Sequence, residues 1–474
     1  MHRSLQIEEI RCEIVSRVHH DASLAVLAQT CQLFQDPALN ILWRKQETLY
    51  HLARCFPSDL VIEEDSPDLS GRKRMRLLRP IVATDWERPL FYSHRVRHFI
   101  FDGPKYPVDL SDWIFSVLSL SLPGEYVFPN LESLDWSPSE DCFPFIRLFL
   151  APSVSSLSVN FPNSPSCLSL LSALSQKHSS LTAIAFKGQG VDNGYISLFA
   201  NNLTHIETLD VPGLDWSALQ HLSRLTTLRS LRLEKFIAPI PCPLFSSAAF
   251  SALETISIDG IATPFLAAMS SAPLRSLSIR FASCISSAEV SVLYRAITAN
   301  ISLTTLTHFT QEIDVEMERT CMIIDNNSMR SLCCFPNLVD VTITSPAGFE
   351  LDDDTLADLA LAAEPRVTLA ALHHLAEHCS QLRVLRLPFN ATVVPPAAPV
   401  SGKRVVHAAL QSLYIEDCPI EASLPVSRFL SGIFPHVSVE TSSASTGRDR
   451  WMEVREQLLH FVAAREEERA WSLS

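Results

Sequence analysis

One hydrophobic phrase recurs along the chain: an apolar residue, two positions, a second apolar residue, one position, a third. Its clearest copies are Leu228–Leu231–Leu233, Leu274–Leu277–Ile279 and Leu382–Leu385–Leu387. Val96–Phe99–Phe101 opens the series. Leu131–Leu134–Trp136, Val154–Leu157–Val159, Leu181–Ile184–Phe186, Ile206–Leu209–Val211, Leu253–Ile256–Ile258, Leu338–Val341–Ile343 and Leu410–Leu413–Ile415 belong to it. Leu303–Leu306–His308 is a weak copy with a histidine in the third slot. The last two slots, two residues apart, fall on one side of an extended strand. Between the strands the apolar spacing turns helical, as in Leu369 to Cys379 and in Leu356 to Ala363, which follows the capping run Asp352, Asp353, Asp354. Val117–Leu120–Leu122 and Leu356–Leu359–Leu361 fit the phrase too, but sit in segments that read as helices. Regular spacing and a polar lead-in separate true copies from these.

From Leu131 to Leu303 seven intervals cover 172 residues, a mean inside the roughly 20–29 residues of leucine-rich repeats. One such unit cannot bury its own apolar face; stacked units build a continuous core, and parallel strands joined by helical crossovers give an α/β horseshoe. The array is predicted over residues 93–440 and is irregular. The turn position where this repeat often carries Asn or Cys holds Asn390 and Cys418, but elsewhere Pro162, Gln189, Phe236 or Ile261. Leu338 and Leu382 stand 44 residues apart with no convincing strand between, so a strand is expected to be missing near Glu364–Pro365.

The ends lack the phrase. In residues 1–53, Ile7, Ile10, Ile14, Val15 and Val18 share one helical face. Leu24, Leu27, Ala28 and Cys31 form a second stripe. Leu39, Leu42 and Trp43 form a third, behind an Asp36–Pro37 helix start. This is a three-helix unit too small to bury its apolar surface alone. Residues 54–92 read as a linker carrying the basic run Arg72, Lys73, Arg74 and Arg76, a basic strand or, alternatively, a nuclear-import signal. In residues 441–474 the polar stretch TSSASTGRDR precedes a helix whose Trp451, Val454, Leu458, Phe461 and Val462 read as a cap on the array.

The length, 474 residues, allows two or three domains or one extended array. Net charge is −14, which argues against a nucleic-acid or anionic-membrane binder, since both need basic surface. Glu8 and Glu9 stand where a signal peptide needs an apolar run. The longest charge-free stretch, Leu148 to Gln176, is broken by Pro152, Pro162 and Pro165, so neither export nor a membrane span is expected. Twelve cysteines without a CxxC pair then read as reduced thiols in the cytoplasm or nucleus.

Three strings invite a catalytic reading. His374, Glu377 and His378 spell HxxEH, which on a helix would set two imidazoles on one face for zinc. No third ligand presents itself, and the segment runs into the strand of Leu385, so a repeat helix is predicted. GQGVDNG, Gly188 to Gly194, nearly spells a dinucleotide loop, but its third glycine is one place late and no helix-opening pattern follows. There is no GxSxG elbow and no GxxxxGK[ST] loop. No cofactor, no metal and no catalytic constellation is expected; the remote alternative is a hydrolase using the His374 cluster.

The segment LQIEEIRCEIVSRV…LAVLAQTCQLFQDPALNILWR resembles an F-box, and is similar to the F-box start of leucine-rich-repeat proteins of the basidiomycete fungal type. The matching features are Ile7, the acidic pair before Ile10, Cys31, Phe34, the Pro37–Ala38–Leu39 step and Leu42–Trp43. TDWERPLFYSHRVRHFIF resembles the stretch that opens the repeats in those proteins. The family usually has Leu-Pro where this chain has Gln6–Ile7. The resemblance implies a non-catalytic substrate-receptor subunit of a Skp–cullin–F-box ubiquitin ligase. Its Skp-type adaptor would dock on Ile7, Ile10, Ile14, Leu24, Leu27, Cys31, Leu39, Leu42 and Trp43, and an unknown protein substrate on the horseshoe. The alternatives are an interaction scaffold with a degenerate F-box, and helices that merely cap the first strand. For the substrate, fifteen of the 36 outward strand positions are Ser or Thr. Among these stand the charged residues Asp135, Asp210, Arg232, Glu234, Asp259 and Arg280. Arg232 and Arg280 are expected to meet an acidic or phosphorylated segment, because arginine binds carboxylate and phosphate bidentately.

Overall fold

The computed structural model describes residues 7–65, 73–102, 108–109, 113–162, 164–177, 180–188, 192–236, 249–260, 263–266, 269, 272–281, 286–313, 324–325, 331, 334–344, 349–350, 369, 372, 376, 379–386, 389–395, 406–415, 418–441 and 447–473. The protein is mixed α/β and divides into two compact units, Met1–Pro212 and Gly213–Ser474.

The first unit opens with three helices, α1 (Glu8–Ser16), α2 (Asp21–Thr30) and α3 (Gln32–Arg44). Val15, Leu24 and Ala38 form their core, with Val18, Leu27, Ala28, Phe34, Ile41 and Leu42 packed around it. The Asp36–Pro37 start is corrected: α3 begins at Gln32 and takes Pro37 into its interior, where the missing N–H leaves the Leu33 carbonyl without its usual donor. Asp36 is instead an ion-pair partner, its carboxylate accepting from Arg95 Nη2 at 2.6 Å.

α3 runs directly into β1 (Lys45–Gln46), the first strand of a parallel sheet. The strands that follow in the chain are β2 (Val61–Asp65), β3 (Lys73–Leu77), β4 (His98–Phe101), β5 (Val108–Asp109), β6 (Ser133–Trp136), β7 (Ser156–Asn160), β8 (Ala183–Lys187) and β9 (Thr208–Val211). The sheet takes the order β1-β4-β6-β7-β8-β9, parallel throughout. β2, β3 and β5 form a separate small sheet. Of the basic run of 54–92, Lys73, Arg74 and Arg76 therefore lie on β3, antiparallel to the acidic β2, while Arg72 lies outside the described residues; Lys73 Nζ is 3.0 Å from Glu63 and Arg76 Nε 3.4 Å from Glu64. Arg79 clasps Asp85 through two nitrogens, at 2.7 and 2.9 Å, and this holds the Asp85 carboxyl well below its ordinary range, at about 2.

The second unit contains β10 (Ser230–Phe236), β11 (Thr255–Gly260), β12 (Ser276–Phe281), β13 (His308–Ile313), β14 (Ile324–Asp325), β15 (Asp340–Ile343), β16 (Phe349–Glu350), β17 (Val384–Arg386), β18 (Ser412–Ile415) and β19 (Ser438–Thr441). Its parallel sheet takes the order β10-β11-β12-β13-β15-β17-β18-β19, with β14 and β16 paired apart.

The hydrophobic phrase sets both sheets. Its second and third slots point into the core, and residues such as Leu231, Leu233, Ile256, Ile258, Leu277 and Ile279 are wholly buried. Two backbone devices repeat with it. At many strand entries one carbonyl accepts two successive N–H groups of the next strand: Arg97 O from Glu132 and Ser133, Glu254 O from Arg275 and Ser276, Arg275 O from Thr307 and His308. The residue just before the first apolar slot reaches back to a carbonyl of the previous repeat: Asn130 to His94 O at 2.8 Å, Ser153 to Pro129 O at 3.2 Å, Ser180 to Pro152 O at 3.0 Å, Asn337 to Thr304 O at 2.7 Å. These bonds supply the unpaired carbonyls of each turn with donors.

The weak copy is corrected in register. Phe309 pairs with Leu277 and Gln311 with Ile279, so the phrase is Leu306–Phe309–Gln311, three residues later than Leu303–Leu306–His308. Gln311 fills an inward apolar slot and is wholly buried; its Oε1 accepts from the buried Tyr294 hydroxyl at 2.8 Å. β1 and β19 carry no recognisable phrase for a similar reason: Gln46 pairs with Phe99, and Val439, which pairs with Leu413, is followed by Thr441.

Asp192 is a helix cap that the GQGVDNG reading missed: its carboxylate accepts from Gly194 N–H at 2.8 Å and opens the helix Asn193–Ala200. Gly188 turns the chain at φ +127°, where an added Cβ would lie 2.5 Å from the Phe161 carbonyl oxygen. Cys418 and Asn390 both engage backbone. Cys418 Sγ accepts from Phe389 N–H at 3.2 Å and Asn390 Oδ1 from Thr392 N–H at 2.8 Å. Glu364–Pro365 and the helix Leu356–Ala363 lie outside the described residues. The C-terminal helix Arg448–Leu473 buries Trp451, Val454 and Leu458, and Trp451 Nε1 donates to the Cys418 carbonyl at 2.7 Å.

Candidate functional site

Two surfaces carry the residues singled out from the sequence. The first lies on α1. Val15 is fully buried, whereas Ile7, Ile10 and Ile14 are 48%, 37% and 42% exposed. Their spacing of three and four residues puts them on one helical face, and Val26 of α2 and Leu33 of α3 add exposed apolar area to the same unit. Leu24 and Leu39 are buried in the helical core; Leu27 and Leu42 pack against it, and Cys31 is half-buried between α2 and α3. Trp43 is half-buried and stacked on Tyr92 of its own chain, with ring centroids 4.5 Å apart. Beside it, buried Arg95 donates to Asp36 and Asn40 and lies 4.8 Å from the Phe91 ring centroid. Of the nine residues, Ile7, Ile10 and Ile14 are therefore the exposed apolar ones.

The second surface is the strand face of the second unit. Its three parallel rows are set by pairing. One row runs Arg232, Ser257, Ser278, Thr310, Thr342, Arg386, Tyr414, Glu440. The next contains Asp259, Arg280 and Glu312 on neighbouring strands. All of these are half-buried, unlike the apolar residues between them. Arg280 reaches Asp259 at 3.7 Å on one side and Glu312 at 3.0 Å on the other. Burial pushes the Asp259 carboxyl above its ordinary range; Arg280 and Arg232 pull it down, while Glu234 and Glu312 push it further up. Four charged side chains, two cationic and two anionic, thus surround the Asp259 carboxylate and make with it a cluster of five. Arg386 lies over the Tyr414 ring, 4.6 Å from its centroid. Glu312 was absent from the sequence-derived set because the β13 register was read three residues early.

Asp210 and Asp135 sit on β9 and β6 in the first unit, apart from the five-residue cluster in sequence and in unit. His374, Glu377 and His378 lie outside the described residues. Among the described residues no group of three or more His, Cys, Asp or Glu side chains is arranged to hold a metal ion, and no helix is long and apolar enough to cross a membrane.

The chain matches no protein-family model. Among curated proteins no significant sequence match was found.

Proposed function

We propose that this chain is the substrate-receptor subunit of a Skp–cullin–F-box ubiquitin ligase in the cytoplasm or nucleus. In this reading the parallel strands of the two units belong to an irregular leucine-rich-repeat solenoid, the three N-terminal helices dock a Skp-type adaptor, and the strand face of the repeats holds a protein substrate. The chain itself performs no chemistry. It raises the local concentration of a substrate lysine at a ubiquitin-carrying enzyme bound elsewhere in the complex.

The observation that carries the reading is the face of Ile7, Ile10 and Ile14. A helix that only capped the first strand would turn its apolar residues inward, as Val15 does; three exposed isoleucines on one face suit a partner of matching apolar surface. The resemblance of residues 1–53 to an F-box names that partner. The scaffold reading draws on α3 feeding β1 and on the Trp43–Tyr92 stack, which a simple cap would also need.

The test is capture of a purified Skp-type adaptor by the full-length protein and by its Ile10→Glu/Ile14→Glu variant. Both substitutions lie on the exposed face, so circular dichroism should be unchanged. Adaptor capture by the wild type, reduced at least tenfold in the variant, is expected. No capture by the wild type refutes the receptor reading and leaves the scaffold.

A further inference from the structure

The charges on the strand face of the second unit are not those an acidic ligand needs. Arg280, the central cation, is held between Asp259 at 3.7 Å and Glu312 at 3.0 Å. Both its Nε and its Nη2 are directed at the same Glu312 oxygen. Arg386 is spread over the Tyr414 ring. A phosphate or carboxylate arriving here would compete with built-in partners and meet the fields of Glu234, Asp259 and Glu312. Across the paired rows the acids Asp259, Glu312, Asp340 and Glu440, joined by Glu234 at the irregularity that ends the β10–β11 pairing, outnumber the bases Arg232, Arg280 and Arg386. Between the charges run four neighbouring hydroxyls, Ser257, Ser278, Thr310 and Thr342, one per strand, all half-buried. Each presents a donor and an acceptor to an extended backbone crossing the strands. Small side chains along this row keep the floor shallow enough for a main chain to approach.

We propose that this face binds an extended, lysine- or arginine-bearing peptide segment, its cation seated against Glu234, Asp259 and Glu312 and its backbone lying along the hydroxyl row. This rests on the reading of the strand face as the substrate surface and reverses the charge expected from the sequence alone. The physical ground is charge complementarity: a cation added to this group gains from the three carboxylates, and its approach opposes the effect of burial on Asp259. Glu234 stands at the edge of the cluster and is the residue to alter, because Asp259 and Glu312 also hold Arg280.

The probe is an array of synthetic peptides of equal length, one set rich in Lys and Arg, one rich in Asp, Glu and phosphoserine, one neutral, read with the labelled full-length chain at low and at physiological salt. Selective binding of the basic set is expected, weakened about five- to tenfold by Glu234→Lys and less by Glu234→Gln, with both effects shrinking as salt rises. Selection of the acidic set, or basic-set binding unchanged by Glu234→Lys, overturns the assignment of charge while leaving the face a docking surface. Binding of no set at either salt overturns the docking reading itself. Adaptor capture by the same variants should equal that of the wild type, which separates failure on this face from failure on α1.

Discussion

Replacing Tyr294 by Phe removes one oxygen from a wholly enclosed site. The hydroxyl donates at 2.8 Å to Oε1 of Gln311, and the two residues are 1% and 0% exposed. The ring itself stays against Phe309, with centroids 5.8 Å apart, so packing is preserved. What is lost is a buried hydrogen bond to an acceptor that water does not reach. That should cost about 2 kcal/mol, or about 30-fold in the folding equilibrium constant. Gln311→Leu puts an apolar residue into a slot that is apolar in the neighbouring strands. Its gain of about 1 kcal/mol partly offsets an orphaned Tyr294 hydroxyl, for a net cost of about 1 kcal/mol. The double variant removes both partners and with them the orphaned hydroxyl, so it should lie close to wild type, which makes the coupling about 3 kcal/mol. Urea denaturation of the full-length chain followed by circular dichroism measures all four corners, with equal slopes as the sign that the unfolded state is unchanged. A Tyr294→Phe midpoint equal to that of wild type, or single costs that simply add, would refute the idea that a polar pair has been built into the hydrophobic slot.

Asp36→Asn should destabilise the chain by about 1 kcal/mol by denaturation, well below the cost of breaking a fully buried pair, because Asp36 is largely exposed while Arg95 keeps Asn40 and the Phe91 ring. Burial raises the Asp259 carboxyl in the folded state, so its ionisation opposes folding: the contribution is favourable below the ordinary carboxylate pKa and is lost as pH rises through the raised folded value. Urea midpoints between pH 3 and 7 should therefore show a smaller fall on this account in Asp259→Asn, and an unchanged profile would exclude the effect. The Cys55 thiol is pushed up by burial to about 11, so iodoacetamide at pH 8 should modify exposed Cys12 and Cys334 in the native protein and leave Cys55 unlabelled, as read by peptide mass spectrometry.

The strands were legible wherever the inward slots are apolar, since period-two burial leaves a direct trace in composition. It failed where a polar residue occupies such a slot with a private partner. Gln311 hid the register of β13, and Gln46 and Thr441 hid β1 and β19 altogether. Helix starts were misjudged at Asp36–Pro37 and at Asp192 for a local reason. Asp serves equally as a cap and as an ion-pair acceptor, and only the fold decides between Gly194 N–H and the Arg95 guanidinium. The candidate surfaces divide the same way. That Ile10 and Ile14 share a face follows from spacing; that Leu24 and Leu39 are inside and Trp43 is covered by Tyr92 depends on how three helices close on one another. The pairing of Arg280 with Asp259 and Glu312 is a property of strand register across repeats, which no single repeat encodes.

Every parallel sheet leaves open edges, and an open edge is a template for another chain. Beyond β19 stands the helix Arg448–Leu473, with Trp451, Val454 and Leu458 buried and Arg455 3.4 Å from Glu440 of that strand. In the first unit the edge strand β1 is only two residues long and is continuous with α3. The helix therefore does more than finish the hydrophobic core. Loss of residues 448–473 by proteolysis or a premature stop would bare apolar surface beside β19, and copies so shortened would meet strand to strand and aggregate.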